Sequence, residues 1–166
     1  MSVHFFYSYR DELVKKLKEH YADDVEVWRK QVQETKQLDE AEAMLRKYFS
    51  SLVTELGDVI DASNGEIFLD EQDGKVMELK IQQNFVRFTR QERAIQVKIG
   101  YYVTENDMVE TAILGYVVPG AKHPVMKKIG KIHQGSTFDE NTINFYLRSA
   151  FGEWLHNIDS THVDTV

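Results

Sequence analysis

The chain reads as an α+β domain: two or three N-terminal helices, an antiparallel meander of about five strands, and a C-terminal amphipathic helix packed on the sheet. Three observations predict this. Up to about residue 62 the apolar residues recur at helical spacing. From 66 to 133 they alternate with polar residues, and turn pairs such as Asp73-Gly74 and Pro119-Gly120 punctuate the alternation. From 137 onward the helical spacing returns as one broad stripe.

The first helix is expected from about Ser8 to Tyr21, on Leu13, Val14, Leu17 and Tyr21. Ser8 stands at the N-cap position, and Asp11 and Glu12 suit the positive end of the dipole. A second helical region begins after Asp23, where Asp23 and Glu26 have capping-box spacing. Its apolar positions include Val25, Trp28, Val32, Leu38, Leu45, Phe49, Leu52 and Leu56. Continued to Ile60 it would be about 54 Å long at 1.5 Å per residue. A domain of this size has a diameter of only about 40 Å. Either the helix projects onto a partner or it breaks. The polar stretch Arg29 to Glu42 favours a break, with Asp39 and Glu42 as a new capping pair. Asn64-Gly65 then ends the helices.

The first hairpin is expected to close with the three-residue loop Gln72-Asp73-Gly74, pairing Leu69 with Met77 and Ile67 with Leu79. The next is expected to turn tightly at Gln91-Glu92, pairing Phe88 with Ile95 and Val86 with Val97. Thr104 to Asp107 makes a further turn. Val109 to Val118 is apolar on both faces near its end and reads as a central or doubly covered strand. The segment His123 to His133 suits either a short helix or a lysine-blunted edge strand. Thr137 and Glu140 have capping-box spacing ahead of the last helix. Its stripe runs Ile143, Tyr146, Leu147, Ala150, Phe151, Trp154, Leu155, Ile158, and the tail from Asp159 is expected to fray.

A chain of 166 residues with two prolines, 28% charged residues and no linker or repeat is one domain. Its parts are a helical segment 1–62, an antiparallel sheet 66–133 and a C-terminal helix 137–158. Cysteine is absent, which excludes disulfides, thiolate metal sites and cysteine nucleophiles. Met1 to Arg10 lacks the pattern of a secretory signal, and no apolar run approaches the ~20 residues of a membrane helix. A cytoplasmic protein without a membrane partner is expected. The net charge of −7 disfavours non-specific binding to nucleic acid by the whole molecule. It is unevenly spread: residues 1–72 carry −7, 73–138 carry +4 and 139–166 carry −4.

No motif commits the chain to a chemistry. Gly130 to Thr137 resembles a phosphate-binding loop, but Ser136 stands where the lysine belongs. Glu153 and His156 form one E-x-x-H pair, where a di-iron bundle needs two and further glutamates. No nucleophile elbow or dinucleotide fingerprint is present. No cofactor, metal or catalytic residue is therefore expected.

Three functional readings remain. The first is a non-enzymatic protein-interaction module, an adaptor, inhibitor or immunity-type protein. It binds another protein or a second copy of itself through Trp28 and Val32, apolar residues in the polar part of the over-long helix. The second is a ligand-binding or enzymatic domain with a pocket between sheet and C-terminal helix, lined by Tyr101, Tyr116, Tyr146 and Trp154. The third is nucleic-acid binding by a basic sheet face carrying Lys80, Phe85, Arg87 and Lys98, where arginines and an aromatic can hold single strands. The overall acidity weighs against the third, and the first is the expectation.

Overall fold

The computed structural model describes residues 8–72, 76–103, 108–129 and 136–164. Helices α1 (Tyr9–His20), α2 (Ala22–Leu56) and α3 (Asp58–Ala62) come first. Seven strands follow: β1 (Ile67–Gln72), β2 (Val76–Ile81), β3 (Asn84–Arg90), β4 (Ile95–Tyr102), β5 (Met108–Val118), β6 (Val125–Lys128) and β7 (Ser136–Thr137). Helix α4 (Glu140–Asp164) closes the chain. The strands form one antiparallel sheet in chain order. The α+β architecture is as expected, with two more strands than the alternation revealed. The ambiguous segment after His123 supplies one of them as β6, and the two-residue β7 supplies the other.

The helical part departs from expectation. No break occurs between Arg29 and Glu42, and α2 runs unbroken for 35 residues, about 52 Å. Interruptions sit at its two ends instead. Tyr21, at φ −102° and ψ 12°, separates α1 from α2. The turn-to-turn hydrogen bonds survive there: Tyr21 N–H donates to the Leu17 carbonyl at 3.0 Å, and Val25 N–H to the Tyr21 carbonyl at 2.9 Å. The chain therefore passes from α1 into α2 without turning back, and Tyr21, not Asp23, occupies the N-cap position. Gly57, at φ 52°, ends α2 in a conformation that costs a side-chain-bearing residue energy. Asn64 and Gly65, both at positive φ, then end the helical part as expected.

Both predicted hairpin registers are displaced by two residues. Leu69 pairs with Leu79 and Ile67 with Ile81, so Gln72 and Val76 flank the loop. Phe88 pairs with Val97 and Val86 with Ile99, closed by Arg90 and Ile95 around a four-residue loop. There Gln91 N–H donates to the Ala94 carbonyl at 2.8 Å. A shift of two preserves side-chain parity, so every residue keeps its expected face. The expected turn at 104–107 lies outside the described residues. β5 sits between β4 and β6 and carries a bulge: Val97 pairs with Gly115 and Lys98 with Ile113, leaving Leu114 as the extra residue. Leu114 packs against the core.

One face of the sheet is covered by α2 and α4. Leu38, Leu45 and Phe49 of α2 meet Leu79, Val86, Phe88, Ile95, Val97 and Val117 of the sheet, with Ile143, Tyr146 and Phe151 of α4 in the same cluster. Phe88 is the hub, 5.5 Å from the Phe49 ring and 5.7 Å from that of Tyr146. Each such side chain contributes about 1.5–3 kcal/mol by leaving water. α4 begins two residues later than its expected box. Asp139 and Thr142 make the reciprocal cap: Thr142 N–H donates to Asp139 Oδ1 at 3.1 Å, and Asp139 N–H to Thr142 Oγ1 at 3.3 Å. Thr137 lies in β7 instead, and helix continues past Asp159 to Asp164.

Polar contacts fix α2 to the sheet. Arg90 reaches Asp39 at 2.9 Å, and Arg46 reaches Glu71 at 3.3 Å. Gln37, 5% exposed, clamps the strand-ending turn: its Nε2 donates to the Gly120 carbonyl at 3.0 Å, and Gly120 N–H donates to its Oε1 at 2.8 Å. Gln37 is also the first buried residue of α2.

Candidate functional site

Before Gln37 no residue of α1 or α2 is buried. Yet this part of the helix is amphipathic. Val14, Leu17, Tyr21, Val25, Trp28 and Val32 follow one another at intervals of three or four, and all are exposed. Trp28 is 61% exposed and Tyr21 48%. The His20 ring meets Tyr21 edge-on at 4.7 Å, and every member of the stripe stays at least 38% exposed. Trp28 lies open to solvent and is not buried against α1.

The stripe is also not the core face prolonged. The core stripe of α2 runs Leu38, Ala41, Leu45, Phe49 and Leu52. Its spacing, 3-4-4-3, repeats that of Val14 to Trp28, displaced by 24 residues. At 100° per residue, 24 residues leave the two stripes about 120° apart around the axis. The exposed stripe therefore points away from the sheet. Sequence reasoning singled out Trp28 and Val32 and used Val14, Leu17 and Tyr21 only as the spacing that marks the first helix. The repeated spacing was the available signal.

The basic sheet face has the expected parity but not the expected chemistry. Lys80, Phe85, Arg87 and Lys98 all lie on the face opposite the core. Phe85, however, is 0% exposed. Tyr102 covers it at 4.9 Å between ring centres and the Arg87 guanidinium at 4.9 Å, over a neighbour, Gly100, that has no side chain. Arg87 pairs with Glu78 at 2.7 Å and donates to the Tyr102 hydroxyl at 2.9 Å. That hydroxyl also donates to Glu78 at 3.1 Å. Burial, then the Glu78 charge, raises the Tyr102 hydroxyl above its ordinary pKa. This is a closed polar cluster in which the arginine is neutralised and the aromatic face is occupied. Phe85 itself is therefore not open for a base to stack on, although Phe68, paired with Lys80 on the same face, is 53% exposed. Glu78 is the residue that sequence reading left out.

The four aromatics do not form a pocket. Tyr116 lies on the outer face of the sheet, beside Gln96, whose side chain donates to its hydroxyl at 3.3 Å. Tyr146 lies in the core on the inner face. Tyr101 stands at the exposed end of β4, and Trp154 donates its indole N–H to Gln82 Oε1 at the β2–β3 turn, 2.9 Å. Strand alternation sends Tyr116 to the outer face, while α4 buries Tyr146 on the inner face, which overturns the shared lining. The Tyr146 hydroxyl is buried without a hydrogen-bond partner among the described residues, and burial raises its pKa strongly.

The remaining candidates are weaker still. Gly130 to Gly135 of the phosphate-loop resemblance lies outside the described residues. Glu153 and His156 are exposed on α4, and the described residues hold no cluster of three or more metal-ligating side chains. An open cleft between α2 and the start of α4 is lined by Tyr48, Leu52, Glu55, Asp139 and Glu140. Among the described residues no helix is long and apolar enough to cross a membrane.

Fold and surface together define a two-layer α+β body with a projecting amphipathic helix. No family model matches this chain, and neither a curated protein nor a solved structure is significantly similar to it.

Proposed function

We propose that the chain is a non-enzymatic protein-interaction module that binds another polypeptide through the stripe Val14 to Val32 on the α1–α2 rod. One observation carries this reading: an ordered apolar stripe, Trp28 and Val32 included, lies on a helix that its own domain leaves uncovered. Helices without tertiary packing are marginal in water, and most helical stability in proteins comes from burying the apolar face. A rod of this length is best supported when a partner buries it. A cytoplasmic setting belongs to the same reading and is supported by the lack of cysteine, which suits a reducing compartment.

The test compares the wild-type chain with Leu17→Ala/Tyr21→Ala/Trp28→Ala as tagged baits washed at high salt. All three side chains are exposed, so the variant should keep the wild-type circular dichroism and urea midpoint. The wild type is expected to retain a stoichiometric polypeptide, itself or another chain, that the variant loses. Equal retention by the variant, or retention of no polypeptide by either, would refute the reading.

A further inference from the structure

Resting on that reading, we infer that the partner is a second copy of this chain, bound antiparallel along the α1–α2 rod about a two-fold axis at Tyr21. Three independent features of the rod point to this arrangement.

The first is the spacing. Val14, Leu17, Tyr21, Val25 and Trp28 are separated by 3, 4, 4 and 3 residues, which is a palindrome about Tyr21. Turning a second copy end for end about Tyr21 sets Val14 against the Trp28 of its copy, Leu17 against Val25, and Tyr21 against itself. Each large side chain except the central one meets a smaller one, as interdigitated packing requires. A parallel pairing in register would set Trp28 against Trp28.

The second is charge. Along the rod the charges fall in blocks: Asp11 and Glu12, then Lys15, Lys16 and Lys18, then Asp23, Asp24 and Glu26, then Arg29 and Lys30. Reversal about Tyr21 brings the first block level with the fourth and the second level with the third. Every block then lies level with its opposite along the rod; Asp11 and Arg29 flank the stripe itself, while Glu12 and Lys30 lie on the far side of the helix. The parallel arrangement would stack each block on its own sign. Glu19 level with Asp23 is the one like-charged pairing at the centre. Complementary fields of this kind set register and orientation more than raw affinity.

The third is extent. The reversed overlap runs from Arg10 to Val32, about 33 Å of helix. It ends where α2 meets the body, beside Glu92 and Arg93 of the β3–β4 loop. The stripe residues leave on the order of 500 Å² of side chain in water per copy, taking roughly 200 Å² for a whole side chain. Two copies together reach ~1,000 Å² before any flanking residue is counted, the size a specific interface needs. A two-fold contact also closes on itself and leaves no stripe free for further assembly.

The test uses the full chain, whose lack of cysteine makes single-cysteine variants unambiguous. Sedimentation between 1 and ~100 µM is expected to give twice the monomer mass for the wild type. The Leu17→Ala/Tyr21→Ala/Trp28→Ala variant should weaken the dimer by ~100-fold or more, as loss of several anchors does. Orientation is read from Arg10→Cys and Val32→Cys under mild oxidation. Mixed together they should cross-link as a heterodimer. Each alone should not, since like positions would be about 33 Å apart and a disulfide needs Cα atoms within about 7 Å. Self-cross-linking of Val32→Cys would establish a parallel dimer and overturn the inference. A wild-type chain that stays monomeric, or a dimer that survives the triple substitution, would overturn it as well. A monomeric wild type that still binds a different polypeptide through the stripe would sink this inference and leave the interaction reading standing.

Discussion

The rod is useful only if its root is held, and Gln37 is where it is held. Gln37→Met keeps the length of the side chain and removes its amide. Two hydrogen bonds are lost, at 3.0 and 2.8 Å. Met cannot replace either, and it fills the space that water would need to reach the Gly120 backbone. An orphaned buried polar group costs about 1–3 kcal/mol. Gly120 has one donor and one acceptor here and is itself only half-buried, so the low end applies to each, and the expected loss is about 2–3 kcal/mol. For a chain of this size that corresponds to a fall in Tm of roughly 5–10 °C. Urea denaturation followed by far-ultraviolet circular dichroism measures it, with the m-value unchanged if two-state behaviour holds. A loss below ~0.5 kcal/mol would mean that solvent already satisfies Gly120, and the clamp would not be what anchors α2. Gln37→Ala, which leaves room for water, separates the two outcomes: its cost should come from packing and not from the orphaned turn.

Tyr146→Phe removes a buried hydroxyl that has no partner among the described residues, so stability should be unchanged or rise by about 1 kcal/mol; a clear loss in urea would mean the hydroxyl is hydrogen-bonded after all. The Tyr48, Tyr102 and Tyr146 hydroxyls are all raised above 10.0 in the fold. Their contribution is complete below pH 10 and is lost as the pH climbs through the folded values, so unfolding should steepen above pH 10, less so in Tyr146→Phe. Arg87→Met leaves the Glu78 carboxylate, 9% exposed, with only the Tyr102 hydroxyl, and should cost about 3 kcal/mol; Glu78→Gln/Arg87→Met should recover part of that, and equal losses in the single and double variants would refute the coupling. Gly115→Ala would set a methyl 2.0 Å from the Lys127 carbonyl oxygen, so β5–β6 pairing should yield and stability drop by about 1–3 kcal/mol, with hydrogen exchange at Met126 as the local readout.

Alternation made the faces of the sheet legible, and helical spacing made the helices legible. Offsets were not legible, because parity is unchanged by a two-residue slip. The hairpin β1–β2 closes at Gln72 and Val76, and β3–β4 at Arg90 and Ile95, neither of which differs from its neighbours in pattern. The β2–β3 turn is tighter than its residues advertise: Gln82 sits at φ 53° with no glycine beside it, and its N–H donates to the Glu66 carbonyl at 2.6 Å. Residues with two-sided demands were the hardest to place. Phe85 lies on the outer face yet is wholly buried, because Gly100 leaves a hollow that Tyr102 and Arg87 roof over. Single-position polarity cannot reveal that, nor can it reveal that Glu78 would neutralise Arg87 from the neighbouring strand.

The expected break in α2 failed for a reason that bears on function. The stretch from Arg29 to Glu42 looked polar because few apolar residues fall in it. In the fold that stretch is where one apolar stripe ends, at Val32, and another begins, at Leu38, about 120° away around the same helix. A gap in the pattern was taken as a gap in the helix, when it marks a change of the surface being addressed. Two stripes with the same 3-4-4-3 spacing then have two different surroundings. The one from Leu38 to Leu52 packs the helix against its sheet. The one from Val14 to Val32 is left exposed when folding is complete, and the proposed interaction rests on that exposure. Because the two stripes share no residue, substitutions in the exposed stripe can test the proposed binding while the core contacts of α2 are kept.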